Sequence, residues 1–119
     1  MIQKQSILNV VDNSGVRTGL CISTPLGFLA GVGDSILISV QSCSGDSKLK
    51  KGTLSRATIV CLKSNQQRAD GCSFSFQSSS MVLLNQQGLP LAKRIFGPVS
   101  YLLRQKKCFK VLFLVSAVL

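Results

Sequence analysis

The sequence predicts a mainly β fold: a small closed β-barrel carrying two short helices at its C-terminal end. Three observations point there. Short apolar or alternating segments recur over most of the chain, glycine-centred turns punctuate them, and the periodicity becomes helical only after Gly97-Pro98. Closure follows because many short strands would otherwise leave unpaired edges open to solvent.

The elements follow in order. Residues 7–11 form an apolar strand, ended by the turn formers Asp12-Asn13-Ser14-Gly15. Residues 16–23 make a second strand, with Leu20 and Ile22 on one face. In the third, Ile36, Ile38 and Val40 alternate with Leu37 and Ser39, which suggests burial largely on both sides. Residues 54–62 repeat that pattern, residues 72–76 alternate as a half-buried strand, and residues 81–84 are a short apolar one. The turns are Gly31-Val32-Gly33-Asp34, Lys50-Lys51-Gly52 and Asp70-Gly71, each with a residue able to take positive φ. In the tail, Val99, Leu102, Leu103, Phe109, Leu112 and Phe113 recur at helical spacing, and Lys106-Lys107 mark the break between two helices.

The length of 119 residues suits one domain with a modest core, the barrel occupying about 1–96 and a helical C-terminal part about 97–119. The longest apolar run, residues 111–119, is too short to cross a bilayer, which needs about twenty helical residues. It reads instead as a buried C-terminal segment, and no membrane partner is expected. The N-terminus shows neither a signal sequence nor an Arg-rich transit peptide.

Charge is the strongest functional signal. Fourteen Lys and Arg face four Asp, with no Glu and no His, for a net charge of +10. Such a chain repels itself until an anion balances it, and nucleic acid is the usual anion; a merely solvated basic surface and acidic lipid are the alternatives. Catalysis is not expected, because the groups that titrate or attack near neutral pH are nearly absent. Asp12, Asp34 and Asp70 sit beside Gly, Ser or Asn, where the structural job is an Asx-turn. Gly31-x-Gly33 precedes a strand, whereas a dinucleotide loop follows one. Cys21, Cys43, Cys61, Cys72 and Cys108 form no C-x-x-C pair and have no His to complete a ligand set, so no metal and no cofactor is expected. Their odd number argues for a reducing compartment, and Cys21, Cys61 and Cys72 read as small hydrophobes.

The expected chemistry is phosphate binding by distributed base. Lys48, Lys50 and Lys51 share one hairpin, Arg56 and Lys63 flank a strand, and Arg68 sits in a turn. With Arg17, these are the candidate RNA contacts. Further base lies at Lys93-Arg94 and at Arg104, Lys106, Lys107 and Lys110. Stacking platforms look poor, with no Trp, one Tyr, and phenylalanines that mostly read as core. Backbone binding to folded RNA therefore fits better than readout of a single strand.

Several stretches together resemble the universal large-subunit ribosomal protein fourteen family (the L-fourteen family). They are Met1-Ile2-Gln3 with Leu8-Asn9-Val10-Val11-Asp12-Asn13-Ser14-Gly15, then Ala30-Gly31-Val32-Gly33-Asp34, Lys50-Lys51-Gly52, Asp70-Gly71, Val82-Leu83-Leu84-Asn85 and Arg94-Ile95-Phe96-Gly97-Pro98-Val99. They follow in the family's order, and the likeness runs end to end. It implies a five-stranded barrel of OB/SH3-like type with a projecting β-hairpin. It also implies a structural role on the interface side of the large ribosomal subunit, with large-subunit rRNA, neighbouring ribosomal proteins and small-subunit rRNA as partners. Lys93, Arg94, Phe96, Arg104, Lys106 and Lys107 are then candidates for the subunit interface, a face that in the family also receives anti-association or silencing factors.

The chain departs from the family at Arg17-Thr18, where two bases are customary, and in the shorter loop of residues 23–29. It departs again at Asp46-Ser47 on the projecting hairpin, at Gln66-Gln67-Arg68-Ala69, and in a C-terminal part without Glu. Erosion of RNA-contact positions, with enrichment in Phe, Leu, Ser and Cys, suggests an organelle-encoded mitochondrial ribosomal protein; a bacterial ribosome is the alternative. A free OB-like binder of single-stranded RNA is a further alternative, disfavoured by the lack of stacking platforms. In the tail, Phe109, Val111, Leu112, Phe113, Leu114 and Val115 offer more apolar surface than a short helix can hide, so part of it is expected to pack against a neighbouring protein.

Overall fold

The computed structural model describes residues 2–25, 27, 29–45 and 49–119. Its elements are β1 (Ile7–Val10), β2 (Val16–Ser23), β3 (Ser35–Cys43), β4 (Leu54–Cys61), β5 (Gln66–Gln67), β6 (Ser73–Phe74), β7 (Ser80–Leu84), β8 (Ile95–Val99), α1 (Leu102–Gln105), α2 (Phe109–Leu112) and β9 (Val115–Val118). Strand far outweighs helix, as the sequence predicts.

Five strands close a barrel in the order β1-β2-β3-β4-β7. Neighbours along the chain pair antiparallel, and β7 closes the ring by running parallel to β1, with Asn9 opposite Ser80 and Val10 opposite Met81. Closure leaves no free edge, which suits strands this short. Leu8, Ile38, Val40, Ile59, Met81 and Leu83 fill the interior and are fully buried. Gly19 sits tight against this interior: a Cβ would lie 2.6 Å from Met81 Cε and 2.8 Å from Ile38 Cδ1, so both side-chain tips would have to shift.

In β3 only Ile36, Ile38 and Val40 are buried, while Leu37 and Ser39 are half-exposed on the outer wall. That corrects the two-sided burial read from sequence: Leu37 lies on an outer wall that the described residues cover only in part. In β4, by contrast, Ala57 to Cys61 are all buried. One face points into the barrel and the tail covers the other. Ser100 N donates to the Val60 carbonyl at 3.1 Å, and the Cys61 thiol donates to the Pro98 carbonyl at 3.3 Å.

The tail departs most from expectation. Both short helices form, burying Leu103 and Val111, but the apolar run beyond them becomes β9 and pairs parallel with β8. The β-branched Val115 and Val118 favour an extended backbone, and β8 offers it a partner. A four-residue helix has no cooperative reserve with which to extend through them. Nor is the segment wholly buried: Phe113 is 83% exposed, and Val118 and Leu119 are also open. Gly33, at φ +87°, turns the chain before β3 where a Cβ would strike the Lys106 side chain at 2.7 Å. The Lys106 ammonium reaches Asp34 Oδ1 at 3.7 Å. The break between the helices is thereby pinned to the barrel.

All five cysteines are free. Cys21 and Cys61 are buried as predicted, but Cys72 is exposed, because the two-stranded β5–β6 ribbon has no layer over it at that turn. The phenylalanines also correct the sequence reading. None of the five described joins the fully buried core: Phe74 and Phe76 are half-buried, and Phe96, Phe109 and Phe113 are exposed. The barrel is filled by aliphatic residues and Met81, so the rings are displaced outward.

Candidate nucleic-acid interface

The basic residues gather on turns and outer strand positions, where the barrel cannot bury them. Arg17 is an exposed position on β2. It borders a depression of about 630 Å³, lined also by Asn9, Asn13, Ser14, Ser44 and Phe96. Arg94 belongs to the same neighbourhood: its carbonyl accepts from Asn13 N at 3.1 Å, and its guanidinium carbon lies 5.9 Å from the centre of the Phe96 ring. Sequence reasoning set Arg17 apart from Arg94 and Phe96, yet the fold brings them to one rim. The cause is an isolated bridge between Asp12 and Ile95, which draws the start of β8 against the β1–β2 turn.

On the β3–β4 hairpin, Lys50 and Lys51 are exposed in the turn that closes through Gly52 N to the Val40 carbonyl at 2.8 Å. Lys48, together with Asp46 and Ser47, lies outside the described residues. Arg56 is exposed on β4 opposite Leu37 and Leu84, and borders a second depression with Leu54 and Leu91. Lys63 follows β4 and is exposed, its backbone N–H donating to Ser79 Oγ at 3.1 Å. Lys93 and Arg104 are exposed as well, and Lys107 takes a left-handed backbone at φ +60°.

Arg68 has the most defined surroundings. Its N–H donates to the Cys72 carbonyl at 2.7 Å, closing the β5–β6 turn. Its guanidinium carbon lies 4.7 Å from the Phe74 ring centre and 5.1 Å from that of Tyr101. Asp70 Oδ1 accepts from Cys72 N at 3.0 Å. That backbone N–H, more than the nearby Arg68 charge, holds the Asp70 carboxyl below its ordinary range. Sequence reasoning found Arg68 but missed its aromatic partners, since Tyr101 is 33 positions away.

The acids are already spoken for. Asp12 accepts from Ser14 N and Oγ through Oδ1 and from Leu83 N through Oδ2. Asp34 Oδ2 accepts from Gly31 N at 2.7 Å, and Asp70 closes its own turn. Among the described residues Lys106–Asp34 is the ion pair, so the remaining bases keep their charge available to an outside anion. The same residues include no cluster fit to hold a metal ion and no helix long and apolar enough to cross a membrane. Burial pushes the Cys61 thiol up to about 11, which keeps it protonated and unreactive at neutral pH.

Compared with known families, residues 1–119 match the family described as ribosomal protein L14p/L23e, so the likeness spans the whole chain.

Proposed function

The chain belongs to the ribosomal protein L14p/L23e family, a structural protein of the large ribosomal subunit, and from that premise we propose that it pins folded large-subunit rRNA through distributed phosphate contacts. Arg17, Lys48, Lys50, Lys51, Arg56, Lys63 and Arg68 are assigned to those contacts. The observation that carries this reading is the unspent positive charge. Fourteen bases face four acids, and the three described acids are occupied within the fold. Lysines serve phosphates as point charges, and arginines engage them in bidentate fashion.

Lys93, Arg94, Phe96, Arg104, Lys106 and Lys107 are assigned to the subunit interface, where they would contribute to bridges with small-subunit rRNA. Docking of a factor that blocks subunit joining is a second role for that face. The exposed Phe96 beside Arg94 supports it, because aromatic and arginine anchors are what protein partners favour. The whole chain acts as one domain. Its ribosome is mitochondrial: the positive mean hydropathy of +0.34 and the exposed Phe109 and Phe113 suit a particle in which protein neighbours replace part of the RNA. A bacterial ribosome is the alternative.

Sedimentation tests the proposal. The protein is expected to co-migrate with the large subunit, and a dominant free pool would refute it. Charge reversal at Lys93 and Arg94 is expected to impair subunit joining while large subunits still assemble. Loss of the assembled subunit in that variant would instead make these residues structural.

A further inference from the structure

The β5–β6 ribbon has only two residues in each strand, and a side-chain network gathers at its turn. Arg68 lies over the notch between two rings whose centres are 6.4 Å apart, those of Phe74 and Tyr101. Phe76 meets Phe74 edge-on at 6.0 Å and 82°, a contact that helps to hold the Phe74 ring in place. Asp70 rigidifies the turn below. Both rings stay half-buried, so they are not consumed by the core, while Arg68 itself is exposed.

We propose that Arg68, Phe74 and Tyr101 form a binding site for one unpaired nucleotide of RNA, its base stacking on the aromatic–guanidinium cluster and its phosphate held by Arg68. The inference rests on the rRNA-binding reading above and adds to it a contact that reads the flat face of a base. Three features select this ligand. The cluster presents planar surfaces together with positive charge, and a nucleotide is planar and anionic at once. An acidic peptide would use the charge and leave the rings idle. Packing against the rings also removes rotamer freedom from Arg68 before binding, so less is lost when the fork closes on phosphate. Recognition of RNA outside helices commonly takes this form, with splayed bases stacked on aromatic rings or on arginine planes.

The full-length chain can be tested directly, because Tyr101 is its one tyrosine and it has no tryptophan, making intrinsic emission a report from this site alone. The probes are a single-stranded oligouridylate of about eight nucleotides and an abasic strand with the same number of phosphates. The base-bearing strand is expected to bind about fivefold tighter or more and to quench Tyr101 emission, while the abasic strand leaves emission unchanged. Phe74→Leu is expected to erase the base preference with the salt dependence intact, and Arg68→Lys to weaken it while keeping the charge. Equal affinities with unaltered emission would overturn the stacking site, even if both strands and large-subunit rRNA still bind with steep salt dependence. Failure to bind either strand or large-subunit rRNA would overturn the rRNA-binding reading as well. The wild-type comparison of the two strands needs no variant to fold.

Discussion

Replacing Asp12 by alanine should unfasten the seam where the barrel closes. β1 and β7 run parallel, and the ladder proceeds from Asn9 N to the Ser79 carbonyl and from Val11 N to the Met81 carbonyl. The next carbonyl, that of Val11, accepts instead from Phe96 N at 2.7 Å, which would strand the buried N–H of Leu83. Asp12 Oδ2 accepts that N–H at 3.1 Å, while Oδ1 accepts the Ser14 N–H and hydroxyl that hold the turn. A side-chain oxygen thus extends the ladder where the main chain cannot. A hydrogen bond to a charged group contributes about 1.5–3 kcal/mol, and an orphaned buried N–H costs about 1–3 kcal/mol. The Ser14 groups are half-buried and can turn to water, so Asp12→Ala should cost about 3 kcal/mol in all, most of it at Leu83. Asp12→Asn keeps one acceptor oxygen for two tasks and should lose about half as much. Equilibrium urea unfolding followed by circular dichroism gives the numbers, and hydrogen exchange at Leu83 should accelerate selectively. A loss under about 0.5 kcal/mol in Asp12→Ala, the level of an ordinary surface change, would refute this account of closure.

Other consequences concern packing and the thiols. Gly19→Val should destabilise by about 1–3 kcal/mol through crowding of Met81 and Ile38, measured by the same urea midpoints. Gly33→Ala meets both a left-handed backbone and the Lys106 stem, so it should loosen the tail and raise proteolysis after Lys106 and Lys107 before the barrel unfolds. Cys72 should react with a thiol reagent in the native state, whereas Cys21 and Cys61 should react only on unfolding. The Cys61 thiol is raised from 9.0 to about 11 in the fold. Its stabilisation is therefore complete below about pH 9 and lost as pH climbs through 11, so the advantage of the natural chain over Cys61→Ala should shrink across that window.

The barrel was legible because its strands obey local rules. Ile36, Ile38 and Val40 alternate, Asp-Gly and Lys-Gly turns punctuate, and the pattern of inward residues follows from a period of two. The elements that escaped are those defined by a distant partner. β8 and β9 exist because they meet each other, and neither Ile95 nor Val115 signals that locally. The Asx-turn at Asp12 was visible, but its reach to Leu83, 71 positions on, was not. The candidate interface behaves the same way. Every base could be read from sequence, while the company each keeps could not: Arg94 joining Arg17 around the β1–β2 turn, Lys106 pairing with Asp34, and Arg68 settling on Phe74 and Tyr101. The phenylalanines misled because hydrophobicity alone marks them as core, whereas a small barrel packed with Leu, Ile, Val and Met leaves no volume for large rings.

The central claim is that this protein spends its surplus charge on rRNA phosphates, and the salt dependence of its binding to large-subunit rRNA tests that most directly. Each neutralised phosphate releases counterion, so log affinity should fall linearly with log salt. Neutralising any one of Arg17, Arg56 or Lys63 should reduce that slope by about 1, with little change in which RNA is preferred. A flat binding curve between low and moderate salt, or slopes indifferent to these substitutions, would contradict the account.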